Sequence, residues 1–539
     1  MFLKNKNQIL LLITNVALVF FAIMLFNLNV LPLRLEDFIF FAILTLLLTL
    51  YRPGWGFLLF AGTSMLENIN LAPVELGIAI RPYQFFGGLT ILAIIIRLAT
   101  KRLNFKLIRL AWYDWAMIVF GAASFVSAIF ASNRGVGLKQ SVVLTSFIFL
   151  YFLVRNYIQT SEDLKKVIPF FLSSSVVVVL YGIWQNIQFM RGASHFEVMP
   201  GRPNGTFAEA DWLGIFLVLL LAIIYTILYQ NTVIARRETT KQSHTDTQRP
   251  EESQKEIAAL LSVARNDMII FIFLTLIFIA LILTVSRSAW LGAVGVTILL
   301  WFAVITRLKL NFREWQWREA FWMKIKVICA FMIAVVMVYF FHLTNFQLAN
   351  RVQSTGGLQK ITISCLEEKS FDAQPQELSD LETINCRHIN LEEVETEKSA
   401  GHFVTEVFRR DPNVNVRSEI YKKSWNLIKQ NPILGIGWGN VSSYLGTDER
   451  GTGLNASNIF LEIWLGSGII GLLAFLAVWL WILGKSARDF FLAKDSQKFL
   501  PLFILLGWFA LTIPNLFNSG IMLGFLWVFL GIAFISNEK

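Results

Sequence analysis

The hydrophobic pattern of this chain repeats on a scale of about twenty residues, not with the short periods of a soluble helix or strand. Apolar stretches fall near 8–30, 36–50, 54–68, 79–98, 112–131, 138–157, 168–189, 211–229, 268–285, 289–306, 323–343, 459–484, 499–516 and 520–535. A run of ~20 apolar residues crosses the ~30 Å hydrocarbon core of a bilayer as a helix. Lipid offers no partners to backbone groups, so helices that satisfy them internally are the expected form. The pattern predicts an all-α polytopic membrane protein with about 12–14 transmembrane helices. The second and third stretches are short and also read as one kinked or re-entrant pair around "YRPGWG". The N-terminal run resembles a signal peptide, but its apolar part is too long and lacks a small-residue cleavage site. It reads as a retained first helix.

The polar breaks divide the chain. A transmembrane bundle is expected to residue 343, a large loop over 344–457 that contains short helices, and further transmembrane helices over 458–539. "TKRLNFKLIR" (100–109), the segment 235–265, "RLKLNFREWQWREAFWMKIK" (307–326) and "GKSARDFFLAKDSQK" (484–498) are rich in Lys and Arg. All four fall on one side of the membrane, together with both termini, and the positive-inside rule makes that side cytoplasmic. The stretch 231–267 around the polar 235–265 core reads as a disordered cytoplasmic linker. No internal repeat of the transporter kind is visible.

Composition agrees with the pattern. The 539 residues are 55% hydrophobic and 16% charged, with a mean hydropathy of +0.58. The net charge of +10 does not point to nucleic acid, because the basic residues sit in short loops between apolar runs. The bilayer is the expected partner.

The opposite face carries the chemistry. It holds "RGASHFEVMPGRPNGTFAEAD" (191–211), the turn "TVSRSAW" (284–290), the large loop and the turn at "NSG" (518–520). Arg287 lies between two apolar runs, where a charge at the bilayer centre costs about 2.5–3.5 kcal/mol. The topology moves it to the outer end of a helix, which lowers that cost. The large loop is acidic between Glu367 and Lys398 and then turns basic through Arg409, Arg410, Arg417, Lys422, Lys423 and Lys429. "VRSEIYKKSWNLIKQNPILG" predicts an amphipathic helix with Ile420, Trp425 and Ile428 on its apolar face, ended at "NP". "GIGWGN" follows as a turn whose glycines let backbone approach a neighbour closely. Basic residues on the outer face are not explained by sorting, and they point to an anionic partner such as a diphosphate. Cys365 and Cys386 either form a disulfide, contributing roughly 3 kcal/mol by loop closure, or remain two free thiols. The His and Cys spacing makes a poor zinc site, and no metal or other cofactor is expected.

Four segments in order carry a resemblance: "GRPNGTFAEADWLG" (201–214), "TVSRSAWLG" (284–292), "VRSEIYKKSWNLIKQNPILGIGWGN" (416–440) and "NASNIFLEIWLGSGIIGLLAFL" (455–476). Together they resemble the O-antigen ligase and polymerase superfamily, often called Wzy-C or WaaL-like. The resemblance implies a metal-independent, inverting glycosyltransferase of the bacterial inner membrane with a periplasmic large loop. Its donor would be an undecaprenyl-diphosphate-linked glycan and its acceptor a lipid, a glycan or a protein. By the same resemblance Arg287 and Arg417 are expected to be catalytic and Arg202 to bind substrate; Lys422 from the basic run, and Ser457 and Asn458 at the family's His-Asn position, are further expected substrate-binding residues. The physical reason is independent of the family: a departing diphosphate develops charge, and fixed guanidinium groups stabilise it.

One departure stands out. Where the family has His-Asn, this chain has Ser457-Asn458, and the glutamate expected nine residues later is Gly466. His402, Glu209, Asp211 and Glu462 are the candidate substitutes for the missing base. Two other functions are compatible with the sequence. A transporter or flippase of lipid-linked oligosaccharide requires mid-membrane charges or a pore. A catalytically inactive assembly protein would account for the missing histidine.

Overall fold

The computed structural model describes residues 6–103, 105–193, 202–242, 250–306, 317–344, 358–367, 381, 384–389, 394–410, 412–447, 453–493 and 497–535. Parts of the expected acidic run, Glu368 to Asp380, Glu382 and Glu392–Glu393, lie outside these residues, as does 307–316 of one basic loop.

Every one of the fourteen apolar stretches forms a helix. In chain order these are α1 (Lys6–Asn27), α2 (Leu35–Tyr51), α3 (Pro53–Thr63), α4 (Pro82–Ala99), α5 (Trp112–Phe130), α6 (Arg134–Tyr157), α7 (Ser161–Met190), α8 (Ala210–Gln242), α9 (Pro250–Leu283), α10 (Arg287–Thr306) and α11 (Trp317–Phe340). Beyond the large loop come α15 (Ile459–Leu492), α16 (Phe499–Asn515) and α17 (Gly524–Ile532). Among the described residues nine helices are long and apolar enough to cross a membrane, and 267–283 and 499–515 are shorter apolar helices. The expected range of about 12–14 crossing helices leaves room for two stretches that are too short to cross. α3 and α17 have 11 and 9 residues. At 1.5 Å per residue they rise ~16 and ~14 Å, about half of the hydrocarbon core. α2 and α3 are separated by Arg52 alone, and Pro53 opens the second helix, as the short pair around "YRPGWG" anticipates.

α8 is the central helix. Ile215 through Ala222 are all buried, which fits a sequence apolar on every face. α16 packs on both α8 and α10. Gly292 and Gly295 of α10 face Pro514 and Ile513, where any added carbon would collide. Peripheral helices show the opposite pattern. Phe40, Leu47, Phe331 and Val336 are exposed, a surface suited to lipid and not to water.

The stretch expected to be a disordered linker is partly helical. α8 continues to Gln242 and α9 begins at Pro250, with 243–249 outside the described residues. Its Glu, Lys, Arg, Gln and Ala are good helix formers. Extending a helix already anchored in the bundle needs no new nucleus.

The large loop departs from an all-helical reading. It contains a three-stranded antiparallel sheet in the order β2 (Cys386–His388), β1 (Leu358–Cys365), β3 (Phe403–Arg410), with α12 (Val394–Ser399) between β2 and β3. Ile361, Ile363 and Cys365 alternate along β1 and share a small core with Leu381, Cys386 and Val407. Cys365 stands opposite Cys386 in the register, and the two form a disulfide. Of the two states left open by the sequence, the paired one is present. Cys329 is a free thiol.

The loop continues through α13 (Pro412–Gln430) and α14 (Val441–Leu445). α13 buries Ile420, Ser424 and Ile428, spaced four apart. Trp425, expected on this face, is 47% exposed. Five residues after Ile420 it lies on another side of the helix, with its ring edge-on to Trp464.

The glycine-rich turn after α13 has a specific partner. α15 is broken at Gly468, where φ is 67°. The break frees backbone groups, and the turn takes them up. The amides of Ile436 and Gly437 donate to the Leu465 carbonyl at 2.7 and 3.1 Å. The Ile469 amide donates to the carbonyls of Pro432 and Ile433, each at 3.2 Å. The turn thus acts as a splint across a broken helix. Trp438 completes the joint. Its ring occupies the space beside Gly466, and its indole N–H donates to the Ser124 hydroxyl at 2.9 Å.

Two outcomes follow from these arrangements. A Cβ at position 468 would lie 1.9 Å from the Ile433 oxygen, in a left-handed conformation. Gly468→Ala should therefore cost at least about 2 kcal/mol, read as a lower Tm in detergent. In the outer sheet the Glu397 carboxylate accepts from Ser364 Oγ at 2.6 Å, His402 Nδ1 at 2.7 Å and Arg387 Nη2 at 2.6 Å. The Ser364 hydroxyl above all, then His402 and Arg387, holds its pKa down to about 2, from an ordinary 4.5. A carboxyl lowered in the folded state stabilises fully above the unfolded value, and that contribution is lost as pH falls. Hydrogen exchange of the sheet amides should accelerate between about pH 4.5 and 2, and Glu397→Gln should remove that pH dependence.

Candidate functional site

The site begins at the turn between α9 and α10. α9 stops at Leu283, Val285 takes a φ of 51°, and α10 starts at Arg287. Thr284, Ser286 and Ser288 are buried around this turn, and Arg287 is half-buried. The first amides of α10 have no partners within the helix, so its N-terminus favours an anion.

Asp211, in the first turn of α8, meets this turn. Its carboxylate accepts from the Ser286 hydroxyl and pairs with Arg202 Nη2 at 3.4 Å. The Nε of Arg202 donates to the Thr284 carbonyl at 2.9 Å. Arg202 is 8% exposed, so its guanidinium braces α8 against the end of α9. Arg417, from α13, lies within electrostatic reach of the same Asp211. Arg202, Arg417 and the turn that carries Arg287 therefore gather around one carboxylate.

The segment that carries Arg202 is held from two further directions. Gln185 of α7 pairs with both backbone groups of Gly205, accepting from its amide at 2.8 Å and donating to its carbonyl at 3.3 Å. Thr206 donates to the Met65 carbonyl at 2.6 Å, and its own carbonyl accepts from the amides of Glu67 and Asn68. Glu67 is itself fixed by Arg81 at 3.3 Å, by the Tyr83 hydroxyl at 2.9 Å and by the Gly524 amide at the start of α17. The short helices α3 and α17 thus end against the segment that positions Arg202.

The C-terminal helices close the other side. Asn518 donates to the Ser288 hydroxyl at 2.9 Å. Asn458 caps α15, accepting from the amides of Phe460 and Leu461, and donates to the Leu516 carbonyl at 3.0 Å. Tyr421, one turn after Arg417 on α13, donates to the carbonyls of Ser457 at 3.2 Å and Leu516 at 3.4 Å. Burial pushes the Tyr421 hydroxyl up, opposed by the Arg417 charge, so it stays protonated and remains a donor.

Not every expected residue joins this group. His402 lies just before β3 in the large loop, bound to Glu397 of α12. Lys422 is exposed on α13. Glu209 is half-buried just before α8, and its carbonyl receives the first amides of that helix. Ser457 is half-buried with a φ of 49°, beside Asn458. Glu462 accepts from the Ala456 amide at 2.7 Å. The absent glutamate has a steric counterpart: a Cβ at Gly466 would lie 2.4 Å from the Trp438 ring. Tyr421, Ser286, Ser288 and Asn518 were not expected as site residues. The two serines flank Arg287 in sequence, but nothing local marks Tyr421 or Asn518. Among the described residues no group of three or more His, Cys, Asp or Glu side chains is placed to hold a metal ion.

A bundle of membrane-length helices, with arginine, hydroxyl and amide side chains gathered at their ends, defines a multi-pass membrane protein with a polar, anion-favouring site. Residues 271–476 match the family model described as O-antigen ligase, Wzy_C, and this stretch of the chain is similar to the O-antigen ligase and polymerase superfamily. No curated protein and no solved structure matches the chain. The matched stretch includes the α10 turn, α13, its splint and the break in α15.

The two kinds of arginine should separate in stability measurements. Asp211→Ala leaves Arg202 buried without its carboxylate and should cost about 3–5 kcal/mol. Arg417→Ala removes a half-exposed charge and should cost under about 1 kcal/mol. Thermal unfolding of the two variants in the same detergent checks the contrast.

Proposed function

We propose that this chain transfers a glycan from an undecaprenyl-diphosphate carrier to an acceptor at the periplasmic face of a bacterial inner membrane, without a metal. Both termini and the basic loops then face the cytoplasm. One observation supports this reading above the others. Four segments spread over nearly half of the chain, around Arg202, Arg287, Arg417 and Asn458, are tied together by hydrogen bonds at the ends of apolar helices, with the Arg417 helix joined through Tyr421. A diphosphate on a lipid chain has this shape, with an apolar tail in the bilayer and a doubly charged head at its surface.

In this mechanism Arg287, with the first amides of α10, and Arg417 bind the diphosphate oxygens. Arg202 and Asp211 hold the turn and the helix start in place. As the glycosidic carbon leaves the phosphate oxygen, negative charge grows on the diphosphate, and guanidinium groups fixed beside it stabilise that growth. Removing one such donor typically costs ~100- to 1,000-fold in turnover, or ~2.7–4 kcal/mol. The arginines remain charged at any ordinary pH. The transporter reading is weaker because these charges cluster at helix ends and not along a path through the bundle.

Arg287→Ala and Arg417→Ala should each reduce glycan transfer at least about 100-fold while the protein still inserts. The measurement is surface polysaccharide in a deletion strain complemented with each variant, alongside membrane abundance of the protein. Normal polysaccharide from both variants would overturn the proposal. In the uncomplemented strain, accumulated single repeat units mark a polymerase, and accumulated full-length carrier-linked chains mark a ligase.

A further inference from the structure

The chain lacks the histidine at position 457, so a transfer reaction needs another group to take the acceptor's proton. Four described carboxylates near the outer helix ends or in the outer loop have defined environments. Asp211 is bound by Ser286 and Arg202. Glu67 is bound by Arg81, Tyr83 and the Gly524 amide. Glu397 is bound by Ser364, Arg387 and His402. Each of these three has a charged or titratable partner that holds it as an anion or fixes it in the fold.

Glu462 differs. Among the described residues its only partner is the backbone amide of Ala456, at 2.7 Å. A carboxylate has about four acceptor positions, so most of its capacity is unused. Its place is also distinctive. Glu462 lies in the first turn of α15, where its amide donates to the Asn458 carbonyl at 2.9 Å. Its side chain folds back along the helix to reach the amide that precedes Ser457. On the other side of Ser457, Tyr421 donates to the Ser457 carbonyl, one turn from Arg417 on the same helix face. The contacts of Tyr421 and Asn458 with the Leu516 carbonyl are exposed, and Glu462 itself is half-buried, so the start of α15 is partly open to an acceptor. The carboxylate and the diphosphate-binding helix α13 therefore flank the single residue where the histidine is missing.

We propose that Glu462 is the general base that activates the acceptor hydroxyl. This rests on the transfer function proposed above. The acceptor oxygen forms a bond to the anomeric carbon of the glycan, and its proton passes to Glu462. The bond from that carbon to the phosphate oxygen breaks, and its electron pair leaves with the diphosphate, held by Arg287 and Arg417. Solvent then removes the proton from Glu462, and the carboxylate is restored.

The test uses the full chain in nanodiscs and in the complemented deletion strain. Glu462→Gln keeps an acceptor for the Ala456 amide and so preserves the local fold, but it cannot take a proton. It should lower transfer at least about 100-fold. Binding of undecaprenyl diphosphate, read by native mass spectrometry, should stay within a factor of about two. Adding Ser457→His to Glu462→Gln should raise transfer at least about tenfold, because it returns an imidazole to the same place. Glu462→Asp, which withdraws the carboxylate by one methylene, should be folded and at least about tenfold slower than the parent. Parental transfer by Glu462→Gln or by Glu462→Asp overturns the assignment. So does loss of undecaprenyl diphosphate binding in Glu462→Gln without rescue by Ser457→His, which would make Glu462 structural. A parent chain that neither supports polysaccharide assembly nor binds undecaprenyl diphosphate overturns the transfer function itself, and the two failures are thereby distinguished.

Discussion

One carboxylate organises the ends of the helices that meet the large loop. Asp211 accepts from Ser286, pairs with Arg202 and attracts Arg417. Those partners come from the end of α9, the segment before α8 and the outer helix α13. A carboxylate in partly buried surroundings needs such partners, and the buried Arg202 needs the carboxylate in turn. The mutual requirement fixes the ends of three segments that the chain order separates. The cost of burying charge is thereby converted into geometry: the buried Arg202 is held against the ends of α8 and α9.

A second constraint attaches the outer loop to the bundle. α15 breaks at Gly468, and only glycine fits there, because the Ile433 carbonyl occupies the space a side chain would fill. Backbone groups released by the break find partners in the turn after α13. That exchange carries α13 with it, and so sets the position of Arg417 and Tyr421 above the start of α15. A helix break in a membrane helix is tolerated where neighbouring protein supplies the missing hydrogen bonds. Here the neighbour is also the element that brings the charge.

Much of this was legible along the chain. Fourteen apolar stretches became fourteen helices, since apolar length is a direct physical requirement of the bilayer. The glycine-rich "GIGWGN" announced a close approach of backbone, and Gly468 proved to be its partner. The amphipathic helix before it formed, although Trp425 turned outward. The small sheet was not anticipated. Its strands are short, and much of what stabilises them is the Cys365–Cys386 link and a handful of apolar side chains. The helical continuation of α8 and α9 was also missed, because polarity alone says nothing about a helix already nucleated in the membrane.

The sequence by itself determined the class of this protein, because apolar length demands a membrane. Tertiary structure alone decided which residues meet. It set His402 beside Glu397 in the large loop, turned Arg202 into a brace, filled the place beside Gly466 with Trp438 and, among the described residues, left Glu462 with a single backbone donor. Such outcomes depend on contacts between residues hundreds of positions apart, and no local pattern encodes the partner that burial will supply.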